Sequence, residues 1–167
     1  MRIYPPDKYT AISTTEGHVD SFGALFNAMR NRWVKVERLQ YYDESDFEGF
    51  RAFKQGDYAV AQRMVQEFVK GQDVYEIAAA NNVSMVRVRI CDRPLSDYLE
   101  HYEMYAYLAD VECGEDIRFV GSAEISDILA DTGISDYVLF DESRLVALVY
   151  DSETGSNGNR HMGGRAI

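Results

Sequence analysis

Along the first half of the chain, apolar residues recur at helical spacing, then at strand spacing, then at helical spacing again. Phe22, Leu25, Phe26 and Met29 share one face of a helix that Asp20 or Ser21 can cap. From Trp33 to Gln40 the period falls to two, with Val34 and Val36 alternating with Lys35 and Glu37, which predicts a strand. Ser45-Asp46-Phe47-Glu48 reads as a capping box for a helix whose apolar stripe is Phe47, Phe50 and Phe53, ended by Gly56. A longer helix should turn Val60, Met64, Val65 and Phe68 inward and stop at Gly71. A short helix over Asp73 to Ala80 precedes Asn81-Asn82.

The second half reads as one unit, strand–helix–strand–helix–β-hairpin, from about Met85 to Asp151. Val86, Val88 and Ile90 alternate with Arg87 and Arg89 in its first strand. Pro94 suits the first turn of a helix whose face is Leu95, Tyr98, Leu99, Tyr102, Ala106 and Ala109, broken at Gly114. Ile117 to Val120 is a short strand. Ser122 can cap a helix using Ile125, Ile128 and Leu129, stopped by Gly133. Tyr137–Phe140 and Leu145–Tyr150 form a hairpin through residues 141–144. The expected class is α+β: a small mixed sheet packed with helices, preceded by a helical N-terminal region. Residues 1–17 read as an extended segment, 18–151 as a single domain (helical over 18–84, sheet-containing over 85–151), and 152–167 as a flexible tail rich in Gly, Ser and Asn.

Charge sharpens this division. Residues 1–91 hold 12 basic and 12 acidic side chains, whereas residues 92–153 hold 3 basic and 16 acidic, within a net charge of −11. A surface that acidic repels phosphate backbones, so nucleic-acid binding by that half is disfavoured. It suits solubility, a basic protein partner, or mimicry of DNA. No apolar run approaches the ~20 residues that cross a bilayer. The N-terminus lacks the apolar core of a signal peptide. Two cysteines, Cys91 and Cys113, make neither a disulfide framework nor a zinc site. A reduced, cytoplasmic setting is expected.

Candidate chemistry is sparse. Residues 76–89 imitate a helix-turn-helix, with Ala78 at the crossing and Arg87 and Arg89 facing a groove. The β-branched Val-Arg-Val-Arg-Ile alternation and Pro94 oppose that reading. Asp92, Glu115, Asp116 and Asp141 could supply oxygen ligands to a divalent ion in a hydrolase or nuclease, although a helix cap and a turn explain Asp92 and Asp141 as well. No nucleophile elbow, no P-loop and no dinucleotide fingerprint is present. The tyrosines Tyr98, Tyr102, Tyr105 and Tyr107 read as core with polar tips.

Three short stretches in order carry a resemblance: residues 87–98, Gly114-Glu115-Asp116-Ile117-Arg118, and residues 136–141. With Phe22 to Leu39, Phe50, Phe53 and Gly56, they resemble an uncharacterised actinobacterial family whose genes lie beside those of XRE-type helix-turn-helix regulators, in chromosomes, plasmids and phages. The resemblance covers roughly residues 20–151 and implies a regulatory or accessory role. Members continue into a helix with an apolar C-terminus, where this chain ends in Gly163-Gly164-Arg165-Ala166-Ile167. The element order is also similar to one half of a phospholipase D-like domain. The His and Lys of such a catalytic half would fall at Ile134 and Asp136, so that likeness implies a non-catalytic derivative.

The expectation is therefore a non-enzymatic protein that acts by contact with another protein, such as a basic helix-turn-helix regulator, or as an acidic phage or plasmid inhibitor. No catalytic residue, metal site or cofactor is assigned. The partner- or ligand-binding candidates are Asp92, Arg93, Ser96, Tyr98, Glu115, Asp116, Arg118 and Asp141.

Overall fold

In the computed structural model, residues 10–12, 19–126, 136–148 and 164–166 are described. In chain order the elements are β1 (Thr10–Ile12), α1 (Val19–Ala28), β2 (Arg32–Glu37), α2 (Glu48–Lys54), α3 (Tyr58–Lys70), α4 (Asp73–Ala80) and β3 (Ser84–Cys91). A π turn over Leu99–Glu103 then runs into α5 (Met104–Glu112), followed by β4 (Asp116–Gly121), a 3-10 turn (Ser122–Ile125), β5 (Asp136–Phe140), β6 (Arg144–Leu148) and β7 (Gly164–Ala166). The α+β class is as the sequence predicts, and so is the order strand, helix, strand, hairpin; of the helix expected after Ser122, the described part is the 3-10 turn Ser122–Ile125.

Five strands form a mixed sheet of order β4-β3-β2-β5-β6. β2 and β4 run parallel to β3 on either side of it, while β5 is antiparallel to β2 and to β6. The second half is thus not self-contained. β2, from the N-terminal half, sits between the parallel pair and the hairpin and joins them. A buried central strand needs apolar residues on both faces, and Trp33 and Val36 meet that need.

The helices lie against the sheet face that carries Trp33, Met85, Val138, Phe140 and Val146. A second apolar cluster joins Phe50 and Phe53 of α2 and Ala61, Val65 and Val69 of α3 to Tyr98, Leu99, Tyr102, Ala106 and Ala109. Left-handed backbone at Gly56 (φ 82°) and Gly114 (φ 102°) turns the chain after α2 and α5, as only glycine does cheaply.

Several local expectations are corrected. The Ser45–Glu48 capping box does not form: α2 starts after Phe47 without a side-chain cap, and Ser45 instead bonds Asp43. Phe68 is exposed and rests on Phe47, because the buried row of α3 is Ala61, Val65, Val69. Pro94 lies in the loop before the helix, in a cis Arg93–Pro94 peptide, and Ser96 takes the N-terminal role by accepting from the Leu99 amide at 3.3 Å. Of the segment read as a flexible tail, residues 164–166 pair antiparallel with residues 10–12. The rest of that tail, most of the N-terminal segment and residues 127–133 of the helix expected after Ser122 lie outside the described residues.

Candidate functional site

β3 presents Met85, Arg87, Arg89 and Cys91 to the helices and Val86 and Val88, half-buried, to the opposite face. The arginines, not the valines, point into the protein: Arg87 is 7% exposed and Arg89 0%. That removes the helix-turn-helix reading. Residues 84–91 are a strand inside the sheet, and neither guanidinium can reach a groove.

Arg87 organises an ionic cluster. Its Nε and Nη2 donate to the two oxygens of Glu115 at 3.0 Å each, its Nη1 to Glu37 Oε2 at 3.1 Å, and Nη2 lies 3.3 Å from Asp110 Oδ2. The ring of Tyr107 lies under the guanidinium at 5.2 Å, and its hydroxyl donates to Glu37 at 3.0 Å. Lys35 pairs with Glu37, and the Tyr75 hydroxyl donates to Asp110. Burial alone would raise the Glu37 pKa, but Arg87, then Lys35 and Arg89, outweigh it and hold the carboxyl far below its usual range. Arg89 lies over Tyr42 and donates to the carbonyls of Leu39 and Ile90.

Beside this cluster, the Tyr98 hydroxyl lies 2.6 Å from both Glu44 Oε1 and Glu103 Oε2. Tyr102 donates to Glu44 at 3.2 Å. One hydroxyl hydrogen serves only one of Tyr98's two contacts, so the second needs a proton on a carboxyl group. Burial, with the neighbouring Glu44 and Glu37 carboxylates, pushes Glu103 up to about 7, which lets it carry that proton near neutrality. The π turn delivers Leu99, Tyr102 and Glu103 to the interior together. A cleft of about 340 Å³ between α3, α4, α5 and the sheet is lined by Trp33, Lys35, Glu44, Arg87, Glu103 and Asp110, among others.

The residues singled out from the sequence do not converge. Glu115 and Tyr98 are buried in the two clusters just described. Asp141, at the hairpin turn, accepts from the backbone amides of Arg30, Asn31 and Arg32 at 2.8–3.2 Å and so fixes the entry to β2. Ser96 bonds the Gln40 carbonyl at 2.8 Å. Asp92, exposed after β3, takes a bond from Ser122, and Arg93 is exposed beside it. Asp116 and Arg118 pair with each other at 2.7 Å on the exposed strand β4. Among the described residues no three His, Cys, Asp or Glu side chains come together to hold a metal ion. The carboxylates suggested for a metal-dependent hydrolase are thus spent on separate structural tasks.

Sequence reasoning read Tyr107 as core with a polar tip, as it is, but missed Glu37, Glu44, Glu103 and Asp110 as interior groups. One signal was present: Glu103, Tyr107 and Asp110 recur at helical spacing, one position beyond the apolar stripe of Tyr102, Ala106 and Ala109. A last feature lies at the sheet's end. A groove of about 330 Å³ between α5 and β4 is lined by Met104, Tyr105, Leu108, Val111, Ile117 and Phe119. Leu108, Val111 and Phe119 are 55%, 53% and 48% exposed.

Fold and interior together define a small mixed-sheet α+β protein, helix-covered on the face where buried arginines and carboxylates meet. The chain belongs to the family described as Domain of unknown function (DUF6879), whose model matches residues 20–166. No curated protein and no solved structure matches it. No helix among the described residues is long and apolar enough to cross a membrane.

Proposed function

We propose that this is a regulatory or accessory protein that acts by contact with a basic protein partner. The observation that carries the reading is how the acidic residues are disposed. Glu103, Asp110, Glu115 and Asp136 are used inside the fold, whereas Asp92, Asp97 and Glu124 face solvent around the carboxyl ends of β3 and β4, with Arg93 exposed beside Asp92. Solvated carboxylates spread over a surface do little chemistry, but they attract a cationic partner over a Debye length of about 8 Å at physiological salt. A helix-turn-helix regulator of the XRE type, encoded beside the gene as in the actinobacterial family the chain resembles, fits that chemistry. The setting would be cytoplasmic, consistent with the unpaired Cys91 and Cys113.

Calorimetric titration of the full chain with the neighbouring regulator tests this. Binding should weaken as salt rises, and Asp92→Lys, Asp97→Lys and Glu124→Lys together should raise the dissociation constant about tenfold. Absence of binding at low salt overturns the reading.

A further inference from the structure

β4 ends the sheet. It pairs with β3 on one side, and no described strand pairs with its other side. Bare strand edges recruit a further strand unless proline, a bulge or inward charge blunts them, and Asp116-Ile117-Arg118-Phe119-Val120-Gly121 has no proline. Ile117 and Phe119 stand on the groove face. Asp116 and Arg118, both exposed, stand on the other. Over the groove, Leu108 and Val111 of α5 leave more than half of their surface to solvent. Three large apolar side chains grouped at an open sheet edge mark an interaction surface.

We infer that the occupant of this edge is a second copy of the chain, added antiparallel along β4 about a two-fold axis through Ile117. Charge complementarity selects both the partner and the register. A two-fold axis normal to the sheet keeps each face continuous, so only registers centred on a residue are allowed. Centring on Ile117 sets Asp116 opposite the partner's Arg118, and Arg118 opposite the partner's Asp116, so the ion pair that the two make within each chain is exchanged for two across the axis. Centring on Arg118 instead sets like charges opposite each other, which destabilises a strand pair. In the favoured register the two Ile117 side chains meet. Residues 116–118 of each copy then form the paired stretch, because Phe119 falls opposite the partner's Glu115, which precedes the strand; the Ile117 pair lies beside Leu108 and Val111 of the facing α5 helices, with Phe119 at the rim. The contact uses residues separate from the acidic surface offered to a basic partner, so either can hold without the other.

Sedimentation equilibrium of the full chain provides the test. A dimer is expected, and Asp116→Arg or Arg118→Asp alone should each raise its dissociation constant at least roughly tenfold. The double variant Asp116→Arg/Arg118→Asp recreates the reciprocal pairing and should restore it. Phe119→Asp should leave a monomer whose circular dichroism spectrum is unchanged, since the residue is exposed. Because each copy carries a charge of −11, moderate salt should favour the dimer, the reverse of its effect on a basic partner. A chain monomeric at every accessible concentration overturns the inference. So does a dimer that ignores the single charge reversals, or one that the double reversal fails to restore.

Discussion

One sheet face holds two opposite chemistries a few residues apart. Where β2 and β3 begin, Trp33 and Met85 meet Val138, Phe140 and Val146 under Met29 and Ala78, and none of these side chains is charged. Two residues further along, the same two strands present Lys35 and Arg87, then Glu37 and Arg89. There α5 answers with Tyr107 and Asp110, and the chain just before β4 with Glu115. Apolar contact is non-directional, so the first region can be filled by many combinations of roughly the right volume. A buried guanidinium needs its carboxylates placed together and in register, or it costs several kcal/mol. The first region tolerates change one residue at a time, whereas the second is specified by mutual dependence.

The strongest way to break that contrast is Arg87→Met. It leaves Glu37, Asp110 and Glu115 buried without their shared cation, and the expected loss is about 3–5 kcal/mol in urea unfolding. Adding Glu37→Gln and Glu115→Gln should return part of that loss, because the neutral amides no longer need a counter-charge. The single and multiple variants would then be far from additive. Val138→Ala in the dry region removes two buried methyl groups and should cost about 2 kcal/mol. Its effect should add simply to that of a distant substitution and be insensitive to salt. If Arg87→Met costs no more than Val138→Ala, the ionic region is not mutually dependent.

The same contrast explains what the sequence disclosed. Elements were legible where one period dominated: α4, β3, β4 and the β5–β6 hairpin fall where the pattern puts them. The α5 stripe of Tyr102, Ala106 and Ala109 is buried as predicted. The direction in which β3 faces was not legible. Alternation of Val and Arg states that two faces differ, and the usual inference turns valine inward. Here the carboxylates that reverse that choice come from β2, α5 and the residue before β4, distant in sequence. The central place of β2 was hidden for a related reason, since sequence order cannot show a strand from one half inserted between two pairs from the other. The candidate site suffered most. Glu115 was chosen as a partner- or ligand-binding candidate and lies inside, and Tyr98, read as core with a polar tip, lies inside as expected, while Glu103 and Asp110, never chosen, form the interior clusters beside them.

A smaller effect separates the two regions by pH. Glu103 has a folded-state pKa of about 7 against an ordinary 4.5, raised first by burial and then by Glu44 and Glu37. Between those values the folded state binds more proton than the unfolded chain, so stability is highest below the ordinary value and falls as pH rises through about 7. Glu103→Gln keeps the hydrogen-bonding shape without the titration, and the urea midpoint should lose the Glu103 share of that decline, while Glu44, Glu115 and Asp136, whose carboxyls burial also raises, keep theirs. Glu37 has the opposite sign: its contribution is present above the unfolded carboxylate pKa and is lost only in strong acid. Substitutions in the dry region should leave the slope between pH 4.5 and 7 as in the parent. A slope unchanged by Glu103→Gln would place the whole decline on Glu44, Glu115 and Asp136.

The smallest expected effects belong to two acids that looked alike in sequence, Asp141 and Asp92. Both follow a strand. Asp141 sits in left-handed backbone (φ 48°) and ties the hairpin to three amides at the start of β2, whereas Asp92 takes one side-chain bond from Ser122 and has its own amide bonded to Gln40 at 2.9 Å. Asp141→Ala should cost about 1 kcal/mol, the low end for a lost cap, because water can reach the freed amides. Burial would raise the Asp141 pKa, but those amides outweigh it and lower the carboxyl below its ordinary 3.8. Its contribution is therefore present above that ordinary value and is lost as pH falls through the lowered one, so parent and Asp141→Asn should converge in strong acid. Asp92→Ala should shift the urea midpoint by less than about 0.5 kcal/mol equivalent. Equal costs at the two positions would mean that the clamp between the hairpin turn and β2 carries no stability, and that β2 is held in the centre of the sheet by its ladder bonds, by Trp33 and Val36, and by the ion pairs of Glu37.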